Sequence, residues 1–242
     1  MQQYFGTSKD NNTIKLNSND LNHIKNVMRM KENDKVIVVY EEKSYICSLN
    51  KDLLSVKIEK QFKEKTTTSS FIAYVPLLSE EKMSFMLQHG TELGITEFII
   101  VMYSHCKYKL SSKDYDKKLN RWTKIVKEAS EQCYRTDIPT VNQIINVSEI
   151  KKNDGVNILC SLVNDDVKNI TEVLTAENSS DTISVVFGPE GGLSTDEEKR
   201  IENLGFTKTS LGNTVLRSET VILFIASVLK YLKECDINGK LW

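Results

Sequence analysis

Eight consecutive residues, Phe71-Ile72-Ala73-Tyr74-Val75-Pro76-Leu77-Leu78, carry no charge and show no alternation of polar with apolar positions. A strand with one wetted face alternates, whereas a strand covered on both faces does not, so this run predicts a strand deep inside a sheet. The pattern continues in kind. Residues 80–93 space Met83, Met86, Leu87, Gly90 and Leu93 at helical intervals and close on Gly94, a residue type suited to ending a helix. Residues 97–102 read as a second strand. Residues 116–133 set Leu119, Trp122, Val126, Ala129 and Cys133 along one helical stripe. Further strands are predicted at 157–162, 182–187 and 206–211, with helices near 168–176, 195–204 and 218–234. Strands interleaved with helices predict an α/β domain on a mostly parallel sheet, with helices on both faces.

Before residue 70 the texture differs. Short β-like runs at 35–40, 44–49 and 54–58 are separated by the turn formers Asn33-Asp34 and Asn50-Lys51-Asp52. They predict a small β-rich barrel or sandwich, preceded by one helix over 20–30. The segment Lys63-Glu64-Lys65-Thr66-Thr67-Thr68-Ser69-Ser70 has no apolar side chain to anchor it and reads as a linker. Two domains are therefore expected, 1–70 and 71–242, within a length that lets each bury a core.

Several function classes lose their evidence. No apolar run approaches the roughly 20 residues of a membrane span, and the first residues show no basic-then-apolar leader, so a soluble protein is expected. The five cysteines are odd in number, without a Cys-x-x-Cys pair, which suits reduced thiols in a cytoplasmic protein better than disulfides or zinc. His23, His89 and His105 fall in no ligand spacing, and no metal site is expected. There is no Gly-x-Ser-x-Gly, His-Glu-x-x-His, Walker loop or Gly-x-Gly-x-x-Gly. The net charge of −1 hides a mild basic excess in the first third and an acidic one in the last. That gradient allows contact with a polyanion but not an indiscriminate grip.

What remains is concentrated in two loops. Phe187-Gly188-Pro189-Glu190-Gly191-Gly192-Leu193-Ser194 leaves the predicted strand 182–187 at its carboxyl end, where open α/β sheets bind ligands. Its glycines let the backbone approach a bound molecule, and Ser194-x-x-Glu197 forms a capping box. The same residues also suit a plain turn into a capped helix. Leu211-Gly212-Asn213-Thr214-Val215-Leu216-Arg217-Ser218-Glu219-Thr220 follows the next strand, with Ser218 expected as N-cap and Glu219 favoured by the helix dipole. Arg217 at that helix mouth either neutralises charge developing on a substrate or pairs with a carboxylate. Arg135 follows the long helix, where a positive charge is favourable in any case.

These residues resemble a known family. Gly188-Pro189-Glu190-Gly191-Gly192-Leu193-Ser194 with Leu211-Gly212 and Leu216-Arg217-Ser218-Glu219-Thr220 resembles the bacterial 16S rRNA (uracil-N3)-methyltransferases, of the SPOUT class. Glu81-Lys82-Met83 through Thr91-Glu92-Leu93-Gly94, and Glu128-Ala129-Ser130-Glu131-Gln132 through Arg135 and Ile138-Pro139, resemble two further signatures. His23-Ile24-Lys25-Asn26-Val27-Met28-Arg29 resembles the family's His-x-x-x-Val-Leu-Arg element. The similarity spans nearly the whole chain, in the family's order.

The resemblance implies an N-terminal PUA-like β-barrel that helps hold RNA and a C-terminal SPOUT domain with a deep trefoil knot, against the usual rule of unknotted chains. It implies a homodimer that needs no metal and binds S-adenosylmethionine in a bent form. The acceptor is N3 of a uridine in the decoding region of 16S rRNA, within the small ribosomal subunit. By the same resemblance Leu162, Gly188, Glu190, Gly191, Leu211, Gly212 and Leu216 surround the cofactor, Arg217 is catalytic, and Arg29 and Arg135 contact RNA. His89 and His105 stand where the family more often carries Lys and Arg, and Ser218 where it carries Thr. Two other readings are a SPOUT methyltransferase for a different RNA and a non-catalytic RNA-binding protein of the ribosome. The Arg135 signature speaks against the first, and glycines at two strand ends against the second.

Overall fold

The computed structural model describes residues 1–64, 69–110, 112–161, 167–176 and 182–238. The chain divides into two compact units, Met1–Thr68 with Lys127–Ile138, and Ser69–Val126 with Pro139–Trp242.

The first unit is a closed barrel of strands β1 (Gln3–Asp10), β2 (Thr13–Leu16), β3 (Lys35–Tyr40), β4 (Lys43–Leu49) and β5 (Ser55–Glu64). Their order is β1-β2-β5-β4-β3, and β1 closes the ring by pairing parallel to β3. Tyr4, Ile14, Val36, Val38, Cys47 and Val56 fill its interior. β3, β4 and β5 occupy the positions their composition predicts, although β5 extends to Glu64. β1 and β2 were not expected. The outer half of β1 is exposed and β2 has only four residues, so each gives too short an apolar pattern to read, although Tyr4, Ile14 and Leu16 enter the core.

Between β2 and β3, Asn17 accepts a hydrogen bond from the Asp20 N–H (2.9 Å) and caps helix α1 (Ser18–Asn22). The helix runs on as a wider π-helical turn, His23–Val27. Arg29 takes a left-handed φ of 52°, which stops it. The segment thus begins before residue 20 and ends at Val27, short of the expected Met30. Residues 63, 64 and 70 of the expected linker belong to strands, while 65–68 lie outside the described residues.

The second unit carries β6 (Ser70–Pro76), α2 (Glu80–Glu92), β7 (Glu97–Met102), α3 (Ser112–Gln132), β8 (Thr140–Val141) and β9 (Ile145–Asn146). There follow β10 (Val156–Cys160), β11 (Lys168–Asn169), α4 (Ile170–Ala176), β12 (Thr182–Val186), α5 (Thr195–Asn203), β13 (Thr207–Ser210) and α6 (Ser218–Asn238). The strands form one sheet in the order β11-β13-β10-β12-β6-β7-β8, with β9 also on β7. Its pairings are parallel throughout. Consecutive residues of its middle strands, Ile158 with Leu159 and Val185 with Val186, are fully buried, as the unalternating runs required. β12 inserts between β10 and the much earlier β6, and the chain must then step over β10 to reach β13.

The described part of α3 buries Trp122, Val126 and Ala129 on the predicted stripe, with Leu119 and Cys133 half-buried. Its last turn belongs to the barrel's unit, where Lys127 pairs with Asp20 (2.9 Å) and Glu131 (2.5 Å). Cys47, Cys106 and Cys160 are free thiols, the first two buried. Among the described residues no helix is long and apolar enough to cross a membrane.

Candidate active site

β13, β10 and β12 are neighbours in the sheet, so the loops at their carboxyl ends emerge side by side. They enclose a cavity of about 940 Å³, lined by Cys160 and Ser161 after β10, by 187–193 after β12 and by 211–218 after β13. Lys82 reaches in from α2, and α2 itself packs against α6. Gly188, Glu190, Gly191, Leu211, Gly212, Leu216 and Arg217 all line this one space. Leu162 lies outside the described residues. Arg29 and Arg135 belong to the barrel's unit.

The loop after β12 is pinned at several points. Ser194 caps α5: its hydroxyl accepts from the Glu197 N–H (3.3 Å) and the Glu197 carboxylate accepts from the Ser194 N–H (2.8 Å), the expected capping box. Glu197 also accepts from the Ser104 N–H at 2.7 Å. Burial raises its pKa, but the hydrogen bonds from Ser194 and Ser104 outweigh burial and leave it below the usual range. His105 Nδ1 donates to the Gly192 carbonyl at 3.2 Å. The glycine at 188 is required by space: a Cβ there would stand 2.9 Å from the Leu193 nitrogen and 3.0 Å from the Gly192 carbonyl carbon.

The loop after β13 turns at Gly212, whose φ of 121° is one that side chains resist. Ser218 does not act as the cap expected of it. It is the first residue of α6, and its hydroxyl donates instead to the Gly188 carbonyl at 2.9 Å, tying the two loops together. The Arg217 carbonyl starts the helix, accepting from the Thr220 and Val221 N–H groups at 2.8 and 2.9 Å.

Charge around the cavity is arranged in pairs. Glu190 is held by Lys107 (2.8 Å) and by Lys82, which together push its carboxyl down to about 2. Lys82 also binds Glu219 at 3.1 Å, and hydrogen bonds to both glutamates raise the lysine's own pKa. The other Glu219 oxygen is buried and meets no hydrogen-bond partner among the described residues. Glu198 pairs with Lys208 at 3.3 Å. The exposed Arg217 guanidinium has no ion-pair partner among the described residues. Burial pushes the Cys160 thiol up, which disfavours a thiolate nucleophile in the cavity. Among the described residues no three His, Cys, Asp or Glu side chains cluster as a metal site.

Sequence reasoning missed Lys82 as a member of this site. A lysine three residues into a helix sits against the dipole, and that mismatch was the available signal. In the barrel's unit, Arg29 is exposed, while Arg135 is largely buried and forked onto Asp137 (3.1 and 2.8 Å).

Two family models match the chain: an RNA methyltransferase domain over residues 63–230 and an RNA methyltransferase PUA domain over 16–59. The chain is 29% identical over 233 residues to ribosomal RNA small subunit methyltransferase E of Bacillus subtilis (strain 168), covering 92% of this chain and 91% of that one. It is 30% identical over 227 residues to the protein of the same name from Mesomycoplasma hyopneumoniae (strain 232), covering 93% and 97%. Its fold matches the crystal structure of a ribosomal RNA small subunit methyltransferase E from Neisseria gonorrhoeae bound to S-adenosyl methionine, with a TM-score of 0.85 and 24% identity over 96% of this chain and 98% of that one.

Proposed function

The chain belongs to the RNA methyltransferase family, and on that premise we propose that it methylates N3 of a uridine in the decoding region of 16S rRNA, within the small ribosomal subunit, using S-adenosylmethionine. The observation that carries this reading is a cavity, at three adjoining strand ends, that joins glycine-bearing backbone to a guanidinium with no ion-pair partner among the described residues.

The cavity suits the cofactor. Its volume of about 940 Å³ falls in the range of small-molecule sites, and Leu193, Leu211 and Leu216 offer apolar walls for a flat ring. Gly188, Glu190, Gly191, Leu211, Gly212 and Leu216 hold it. Bound there, S-adenosylmethionine supplies an electrophilic methyl group. The protein's part is to stabilise the acceptor. Uracil N3 carries a proton that passes to solvent water, and the ring then bears negative charge until its N3 lone pair takes the methyl group. Arg217, fixed at the mouth of α6, neutralises that charge without acting as a base.

The barrel's unit supports RNA through Arg29 and Arg135, the latter pre-oriented by Asp137. The working form is a homodimer in the cytoplasm. Exposed aromatic side chains on α2 (Phe85) and α6 (Phe224, Tyr231) supply apolar area for a second copy. The trefoil knot of the SPOUT class is part of the same reading.

The test is transfer of labelled methyl groups to small subunits from cells lacking this protein, with mass mapping of the RNA. Label at N3 of one 16S uridine is the expected result. Label confined to another RNA, or none, refutes the assignment.

A further inference from the structure

Among the described residues, the two carboxylates that line the cavity and Glu219 beside it are each claimed by a lysine: Glu190 by Lys82 and Lys107, Glu198 by Lys208, and Glu219 by Lys82. Arg217 alone has no ion-pair partner among the described residues. This distribution is not what proximity along the chain would give. Glu219 lies two residues beyond Arg217, in the first turn of α6, and its buried Oε2 still lacks a hydrogen-bond donor among the described residues. It is the carboxylate nearest to Arg217 along the chain, and a long, five-donor guanidinium has the reach to take it once the lysine is gone.

We propose that Lys82 is a positioning residue that occupies Glu219 and so keeps the Arg217 guanidinium free for the acceptor ring. The proposal rests on the methyl-transfer reading above and assigns Lys82 no contact with the reacting atoms. Glu190 and Glu219 depend on Lys82 unequally. Glu190 keeps Lys107 if Lys82 is lost, whereas Glu219 has no other cation among the described residues. Removing the lysine therefore releases one carboxylate, the one next to Arg217. An Arg217–Glu219 pair would have to break before the guanidinium could meet a developing anion, which raises the barrier without weakening cofactor binding. Ser218, between the two, is committed to the Gly188 carbonyl and cannot intervene.

The test compares wild type, Lys82→Met, Lys82→Arg and Lys82→Met/Glu219→Gln. One readout is independent of activity: the rate at which phenylglyoxal, an arginine-specific reagent, modifies Arg217, followed by peptide mass spectrometry. The others are single-turnover methylation of small subunits and S-adenosylmethionine affinity by calorimetry. Lys82→Met is expected to protect Arg217 from the reagent and slow turnover by about 30-fold, with cofactor affinity within about threefold. The double variant should restore both reactivity and turnover, and Lys82→Arg should keep most of each. If Lys82→Met itself fails to fold, the double variant decides alone, because the lysine is dispensable once Glu219 is neutral. A proportionate loss of cofactor affinity would make Lys82 a ligand and overturn the proposal. So would a double variant that remains slow, or one that does not fold. Should wild type transfer no methyl group at all, the methyl-transfer reading fails by itself, and unequal Arg217 reactivity across the variants still decides the clamp.

Discussion

Two buried carboxylates in the barrel's unit share one ammonium, and that imbalance sets how stability should respond to pH. Asp20 and Glu131 are 6% and 7% exposed, and both reach Lys127, so the trio carries a net negative charge when fully ionised. Burial pushes Glu131 up to about 7, with Lys127 pulling it down and Asp20 and Glu128 adding repulsion. An acid whose value is raised by folding binds its proton more tightly in the native state. Its contribution is therefore complete below about pH 4, declines as pH rises towards about 7, and is absent above that. The interval from the ordinary glutamate value of about 4.3 to about 7, at about 1.4 kcal/mol per pH unit, sets a ceiling of about 4 kcal/mol. Glu131→Gln removes the charge but keeps an acceptor for Lys127. Urea unfolding of both proteins from about pH 5 to about pH 8 should show the variant gaining about 2–3 kcal/mol on wild type across that window, since about two pH units of the interval fall inside it. A constant difference, or one that grows towards acid, would refute the reasoning.

Three further outcomes are expected. Arg217→Ala should slow methylation by about 100-fold or more while S-adenosylmethionine affinity by calorimetry stays within about threefold, and near-normal turnover would remove it from the chemistry. Gly188→Ala forces a Cβ to 2.9 Å from backbone; overpacking of about 1–3 kcal/mol should weaken cofactor affinity about tenfold, and unchanged affinity would contradict the cavity assignment. Wild type should sediment near twice 27.6 kDa, Phe224→Glu should shift it towards monomer, and an unshifted dimer would place the interface elsewhere.

Where side-chain chemistry dictates structure, the sequence was readable. The apolar runs of β6, β7, β10 and β12 could only be buried strands, and the capping box at Ser194 could only open a helix. The barrel's β1 and β2 were hidden because half of β1 is exposed and β2 is only four residues long, too little for a pattern to show. The Ser218 hydroxyl looked like a cap because helix starts favour one locally, yet it serves a carbonyl 30 positions away. Beyond its mismatch with the helix dipole, Lys82 carries no local sign of its place at the cavity, since its partner Glu190 lies 108 residues further along. Local pattern locates loops and glycines; it does not say which distant charge will occupy which carboxylate.

The insertion of β12 bears on how the protein is made. β6 emerges from the ribosome more than a hundred residues before the strand that must lie against it, pairing Phe71 with Ile183 and Tyr74 with Val186. Until that late segment arrives, an apolar edge stands open, and the growing chain can offer only the contacts of β7. Such long loop closures make folding slow, and the exposed edge is the place where nascent chains would meet chaperones or one another.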